Sequence, residues 1–392
     1  MTHPDARYLQ AAIAGDALAS RKMALISGPR QVGKTTLGRG LLSTPTNYYS
    51  WDDARFRVAW ATDPIDAIAL RGPGAVLLDE IHKDPNWKDR LKGLYDLRGA
   101  DMPIVVTGSA RLDVFRRGGD SMLGRYLPYR LYPFTVGESA KPPAPDALRI
   151  GVQATFAWSD LQRLGGFPEP LLGGSEGRAR RWSRLRIERL VTEDVRDLRN
   201  VRDLRALRQL ADLLPSRVGS LLSINALCEV LQLSFATVRD WLTVLGELYN
   251  CFELRAWQAN VARSLQQATK LYLYDPLPVA DLALRRENLV ALHLRKACHY
   301  WTDLAIAECE LWFVRTKDGA EVDFLLTREG KPWMLVECKT GDTAPARQLV
   351  SYGKLLDCPH RIQLVEVDGY DREYPELGVR VMGYERFLAG LV

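Results

Sequence analysis

Gly28, Gly33, Lys34 and Thr35 fall at the spacing G-x-x-x-x-G-K-[ST], in the run GPRQVGKT at 28–35. That spacing builds a cradle for the phosphates of a nucleoside triphosphate. Glycine lets the backbone curl, so that N–H groups along Gly28, Pro29, Arg30, Gln31, Val32, Gly33, Lys34, Thr35 and Thr36 converge on phosphate oxygens, proline alone giving none. Lys34 would neutralise the β- and γ-phosphates of ATP, and the Thr35 hydroxyl would ligate Mg²⁺. Further along, Asp79 and Glu80 stand side by side. The first acid can hold the Mg²⁺ shell and the second can orient a water towards the γ-phosphate. Thr107 and Ser109 are hydroxyls placed where a γ-phosphate sensor would sit.

A second group of chemical residues lies near the C-terminus. EVDFLL at 321–326 and MLVECK at 334–339 flank a turn near Gly330. A hairpin centred there sets Asp323 across from Glu337, and alternation puts Lys339 on the same face, opposite Glu321. Two carboxylates and a lysine on one face can bind Mg²⁺ and activate water for phosphodiester cleavage. The same residues also fit a cross-strand ion-pair ladder on a solvated sheet, although that ladder leaves two facing acids unexplained.

These residues need particular elements to position them. Met23-Ala24-Leu25-Ile26 and Ala75-Val76-Leu77-Leu78 are continuous apolar runs, as expected of parallel strands covered on both faces. Pro103 to Ser109 reads as a third strand, and Thr36-Leu37-Gly38-Arg39 opens a helix after the loop. Residues 1–140 therefore alternate strand and helix in the βαβ manner, with a mainly parallel sheet. AKPPAPDA at 140–147 carries Pro142, Pro143 and Pro145 and reads as a linker. Residues 148–215 read as a helical lid. In 216–275, Ser223 caps INALCEVL and Ser234 caps FATVRDWLTVLGELY, with strands CFELRAW and KLYLYD following. Helix–turn–helix and then a β-ribbon is a winged-helix pattern. Its second helix offers Thr237, Arg239 and Asp240, too little positive charge for base readout, which favours a scaffold or a weak DNA contact.

The motifs GPRQVGKT, LLDEIHKDPNW at 77–87, VVTGSARLD at 105–113, SMLGRYLPYRLYPFTVGE at 121–138 and GGFPEPLL at 165–172 occur in that order. Together they resemble prokaryotic AAA+-superfamily ATPases with a C-terminal domain of unknown function. The resemblance implies that Arg125 acts on the γ-phosphate, in cis or from a neighbouring subunit, with Arg111 as second choice; a surface ion pair is the plainer reading of each arginine. It also implies a homo-oligomer. The D-x₁₃-E-x-K arrangement resembles the PD-(D/E)XK nuclease superfamily, which includes Holliday-junction resolvases and restriction endonucleases. That likeness adds Glu287, on RENLVALHLRKA, to Asp323, Glu337 and Lys339 as a nuclease site, although Val322 replaces the superfamily's proline.

The expected fold is thus α/β: a P-loop NTPase (AAA+-like) core at 1–147, the lid at 148–215, the winged-helix segment at 216–275 and a PD-(D/E)XK nuclease-like domain at 276–392. The expected function is a Mg²⁺-dependent ATPase that couples ATP binding and hydrolysis to DNA binding or processing through the nuclease-like domain, with DNA as its partner. A nucleotide-controlled switch acting on a protein partner, with a non-cleaving C-terminal domain, is the alternative.

Composition fits such a chain. Its 392 residues suffice for two to four domains, and 47% hydrophobic with 26% charged residues is ordinary for a soluble protein. No apolar run reaches membrane-span length, and the opening MTHPDARYLQ lacks a signal segment. Six cysteines, far apart and without a C-x-x-C pair, argue for reduced thiols in a cytoplasm and against zinc. Net charge is +5. Residues 176–210 hold eleven arginines against six acids, a surplus that equals it. The spacing there first suggests a solvated amphipathic helix, and second a basic face for nucleic-acid phosphate or a neighbour's nucleotide.

Overall fold

The structure, a computed structural model, describes residues 7–69, 72–99, 101–108, 122–138, 145, 151–195, 201, 203–257, 268–316 and 319–392. The chain folds into two compact units. One runs to Pro133 and takes in Glu247–Tyr249; the other comprises most of the chain from Phe134 to Val392.

The first unit is built on strands β1 (Met23–Ser27), β2 (Tyr48–Ser50), β3 (Val76–Asp79), β4 (Ile104–Thr107) and β5 (Tyr126–Arg130). Their order across the sheet is β2-β3-β4-β1-β5, with every neighbouring pair parallel. β1, β3 and β4 are buried along their whole length, which is why their sequences are continuous apolar runs rather than alternating ones. Met23, Leu25, Val76, Leu78, Ile104 and Val106 pack on one face with Trp60 and Leu91. A parallel sheet sets all its strand C-termini on one edge. Helix α1 (Lys34–Gly40) starts there after β1, and α2 (Trp87–Arg98) follows β3.

The second unit begins with Phe134. The break precedes the 140–147 stretch, of which only Pro145 is among the described residues. Helix α3 (Glu176–Arg189) is followed by α4 (Ile224–Leu231) and α5 (Phe235–Glu247). Ser223 Oγ accepts from Ala226 N at 3.2 Å and Ser234 Oγ from Thr237 N at 3.1 Å, so each hydroxyl satisfies a backbone donor that a helix start leaves orphaned. An antiparallel ribbon follows, of β6 (Cys251–Arg255) and β7 (Thr269–Leu273).

Next come the long helix α6 (Leu282–Asp303) and a sheet ordered β12-β13-β11-β10-β9-β8. Its strands are β8 (Cys309–Arg315), β9 (Glu321–Arg328), β10 (Lys331–Cys338), β11 (His360–Val365), β12 (Asp371–Tyr374) and β13 (Val379–Gly383). β8, β9 and β10 form an antiparallel meander, and helix α7 (Arg347–Leu355) leads to β11, which runs parallel to β10. Val322, Leu325, Leu335, Leu349, Val365 and Val381 make its core.

The β9–β10 hairpin turns on Glu329 and Gly330, both at positive φ, as a two-residue turn requires. Arg328 pairs with Lys331, but a shift between Pro332 and Met334 changes the register to Leu326–Met334, Leu325–Leu335 and Phe324–Val336. The bulge thus restores the alignment that a turn centred on Gly330 gives.

Candidate functional site

Around the phosphate loop, geometry explains the residue types. Gly28 has φ +150°, and a Cβ there would lie 2.4 Å from the Leu131 carbonyl oxygen; Gly33 is left-handed at φ +99°. Neither position takes another residue without strain. The Lys34 side chain is buried, its ammonium donating to the carbonyls of Gly28 at 3.0 Å and Pro29 at 2.8 Å. The loop therefore folds over a positive charge held at its own centre.

Asp79 is the hub of the sheet edge. Its carboxylate accepts from the Thr35 hydroxyl at 3.2 and 3.0 Å, from Tyr48 Oη at 2.9 Å and from Thr107 Oγ1. β4 lies between β1 and β3, so Thr107 bridges the loop strand and the acid strand. Thr107 thus positions Asp79 directly. Adjacent hydroxyl and carboxylate oxygens from Thr35 and Asp79 are the hard donors that suit Mg²⁺. Tyr48 was not foreseen; Arg39 stacks 4.1 Å from its ring centroid, and burial and then Asp79 raise its phenol pKa.

Glu80 takes a left-handed backbone, φ 58°, while its N–H still bonds to Thr107 O at 3.0 Å. The sheet ladder therefore continues past Asp79 while the chain twists the next side chain away. Such strain in a non-glycine residue is characteristic of functional positions. Burial raises the Glu80 pKa, against the opposing pull of Lys34 and Lys83.

Arg125 lies elsewhere. Its carbonyl accepts from Met23 N at 2.9 Å, at the start of β1, whereas the phosphate loop follows the end of that strand. Five residues of strand separate them, about 16 Å. Its guanidinium grips Asp96 through Nε at 2.7 Å and Nη2 at 3.1 Å. Arg125 therefore does not reach the phosphate loop of its own chain. Ser109 and Arg111 lie outside the described residues.

In the second unit the hairpin brings Asp323 and Glu337 together: Asp323 N lies 3.4 Å from Glu337 Oε2, and Cys338 N donates to Asp323 Oδ2 at 2.8 Å. Lys339 Nζ pairs with Glu337 at 2.7 Å. It does not pair with Glu321 as expected, because its ammonium is taken by Glu337 and Glu321 has other partners. Glu321 is held by Lys270 and by Arg315 Nη1 at 2.8 Å.

Lys270, on β7, also lies 3.5 Å from Glu287 of α6, and its side chain is 3% exposed. Tyr272 Oη donates to Glu287 at 2.7 Å and Gln348 Nε2 to Glu337 at 3.1 Å. Burial, with Glu287 and Glu337 nearby, lifts the Asp323 carboxyl well above its usual range. Burial also raises Glu287, which Lys270 opposes. The four foreseen residues are thus in one neighbourhood, but Lys270 adds a second lysine to it. Among the described residues, no group of three or more His, Cys, Asp or Glu is placed to hold a metal ion. The lone lysine opening the apolar run KLYLYD was the available signal for Lys270.

A parallel sheet whose first strand feeds a G-x-x-x-x-G-K-T loop, with an acid two strands away bonded to the loop threonine, defines a P-loop NTPase core. Residues 20–140 match the family model described as an AAA domain. Residues 156–286 and 286–385 match two domains of unknown function, DUF8612 and DUF4143. The chain is similar to uncharacterized proteins of Mycobacterium bovis and Mycobacterium tuberculosis, each 24% identical over 350 residues, covering 86% of this chain and 74% of the relative. An uncharacterized protein of Methanocaldococcus jannaschii is 22% identical over 369 residues, covering 86% of this chain and 80% of its own. Among solved structures, the replication initiator DnaA bound to AMPPCP and single-stranded DNA is 14% identical over 61% of this chain and 86% of that one, with a TM-score of only 0.28. No helix among the described residues is long and apolar enough to cross a membrane.

Proposed function

We propose that this protein is a Mg²⁺-dependent ATPase that couples ATP binding and hydrolysis to DNA binding through its second unit. The observation that carries the ATPase part is the Asp79 carboxylate joined to Thr35, Tyr48 and Thr107 beside a buried phosphate-loop lysine. Lys34 neutralises the β- and γ-phosphates, while Thr35 and Asp79 hold the metal. Bound Mg²⁺ would screen the charge that develops on the phosphate oxygens. Glu80 orients the attacking water and accepts its proton; its raised pKa brings it nearer to what a base working at neutral pH needs. Arg125, too far from its own loop, serves the site of a neighbouring copy, so the working form is a homo-oligomer.

We assign residues 1–147 to the AAA+ core, 148–215 to a lid, 216–275 to a winged-helix segment and 276–392 to a PD-(D/E)XK-like domain, in a protein of the cytoplasm. The capped helix pair followed by a β-ribbon supports the winged helix. The order helix, three-stranded meander, helix, parallel strand supports the nuclease-like domain. Lys270 between Glu287 and Glu321 favours a domain that binds without cutting. The second reading, a nucleotide-controlled switch on a protein partner, is favoured by α5, where Arg239 is engaged by Glu253 at 3.0 Å.

The test is the steady-state rate of Mg²⁺-dependent ATP hydrolysis with and without duplex, single-stranded and branched DNA, with Lys34→Ala as the blank. Stimulation by one DNA form supports the DNA-directed reading; turnover indifferent to all of them supports the switch.

A further inference from the structure

Helix α3 carries six arginines against two glutamates over 176–189, a net +4 in a chain whose total is +5. Its rotation is fixed. Ala179, Trp182, Ser183, Arg186 and Ile187 face inward, with Ser183 Oγ 2.5 Å from Asp275 Oδ2 and Arg186 stacked 4.7 Å from the Phe167 ring centroid. Arg178, Arg181, Arg184 and Arg189 are consequently left on the exposed side. Glu176 is taken by Arg163 and Arg180. None of the four outer arginines forms an ion pair among the described residues, which leaves Glu188 as the one acid of the helix to set against them.

A solvated helix ordinarily intersperses both signs, because like charges a turn apart repel. Here one sign dominates the outer face, and the cation is always arginine, never lysine. Arginine is the less hydrated of the two and its fork matches phosphate oxygens. From Arg178 to Arg189 the row extends about 16 Å along the axis, roughly five phosphate steps of one DNA strand at ~3.4 Å each. Leu185, 42% exposed, lies within the row and adds an apolar contact for sugar or base.

We infer that the outer face of α3 is the surface on which a nucleic-acid backbone lies, gripped by Arg178, Arg181, Arg184 and Arg189 without regard to sequence. This rests on the DNA-coupled reading above and names its contact surface, which is not the helix pair α4–α5.

Fluorescence anisotropy of the full chain with a labelled random-sequence duplex and a labelled single strand, across a salt series, tests it. The variant changes all four arginines to glutamine. A charge-matched control changes four exposed cations elsewhere: Arg55, Lys331, Lys354 and Arg372. A further variant, with lysine at the four α3 positions, keeps the charge, and thermal melting checks each fold. The expected result is at least roughly tenfold weaker binding for the glutamine variant, with the slope of log K against log salt flatter by about 3 to 4 on duplex. The control and lysine variants keep most of the binding. Equal binding by wild type, glutamine variant and control overturns the surface while leaving the DNA-coupled reading intact. No binding by the wild type overturns both.

Discussion

The Lys270 ammonium lies 3.5 Å from the Glu287 carboxylate and also hydrogen-bonds Glu321, at 3% exposure of its own side chain. Burial lowers the affinity of Lys270 for its proton, and Glu287, Asp323 and Glu321 together more than reverse that. A cluster of facing acids thus contains its own cation. Replacing Lys270 with methionine should cost about 3–5 kcal/mol of stability, since buried charges lose their partner. It should also make the protein responsive to divalent ions: Mn²⁺ should raise the melting temperature of Lys270→Met but not of Lys270→Met with Asp323→Asn. A wild type that responds to Mn²⁺ as strongly as the lysine variant, in a background where Lys34→Ala has silenced the phosphate loop, would show that Lys270 does not stand in for a metal.

Glu80, as the proposed base, should set a pH limit on turnover. Burial raises its pKa, and a base must be ionised to accept a proton, so kcat should fall as pH drops through a value above the ordinary glutamate range of about 4.3. Glu80→Gln should keep ATP binding, lose roughly 10²–10⁴-fold in kcat and abolish that acid limb. Lys34→Ala should instead lose tight binding, measurable by titration with a fluorescent ATP analogue. An acid limb that persists in Glu80→Gln at unchanged pH would assign it to another group.

Arg125→Ala should reduce turnover by roughly 10³–10⁵-fold if it acts on a neighbour's γ-phosphate. Mixing it with Lys34→Ala should restore activity, because a site with an intact loop then meets an intact arginine. Absence of recovery over a range of mixing ratios, with both proteins folded, would rule out the trans role.

His293 should make the second unit acid-sensitive. Its ring is buried, Nε2 accepts from Val136 N at 3.0 Å, and Nδ1 lies 2.7 Å from the Leu289 carbonyl oxygen, which fixes the neutral Nδ1–H form. Burial lowers its pKa to about 4. Below about pH 6.5 the unfolded chain takes up a proton that the folded chain refuses until about pH 4, so stability falls with acidification, at up to ~1.4 kcal/mol per pH unit. Urea denaturation at several pH values should show this slope in the wild type and a shallower one in His293→Gln. Parallel slopes would exclude the histidine as the source.

The parts of the sites that were legible in the sequence are those written in local pattern. Strand, glycine loop and acid pair are each contiguous, and buried parallel strands declare themselves as unbroken apolar runs. The alignment of Asp323 with Glu337 was legible for a partly accidental reason: the turn is centred half a residue early, and the bulge before Met334 makes up the difference. Tyr48 was not legible as a site residue, and Lys270 only as a lone lysine opening an apolar run. Each reaches its carboxylate from a strand 17 or more residues away in the chain, and only the fold brings them together. The Lys339–Glu321 pair failed because alternation gives the face a side chain takes but not its partner: Lys339 turns to Glu337, and Glu321 to Lys270 and Arg315.

The fully buried pair of Glu138 and Lys296, 2.7 Å apart, bears on how this protein can be taken apart. A proteolytic or recombinant cut at the proline-rich 140–147 stretch looks harmless by composition, yet it would carry Glu138 away with the ATPase fragment. The remaining fragment would retain the buried Lys296 ammonium without Thr135 and Glu138, a loss worth about 3–5 kcal/mol. A cut after Pro133 keeps Thr135, Glu138 and Lys296 in one piece. The first long segment of the ATPase unit therefore ends at Pro133, several residues upstream of the proline-rich stretch.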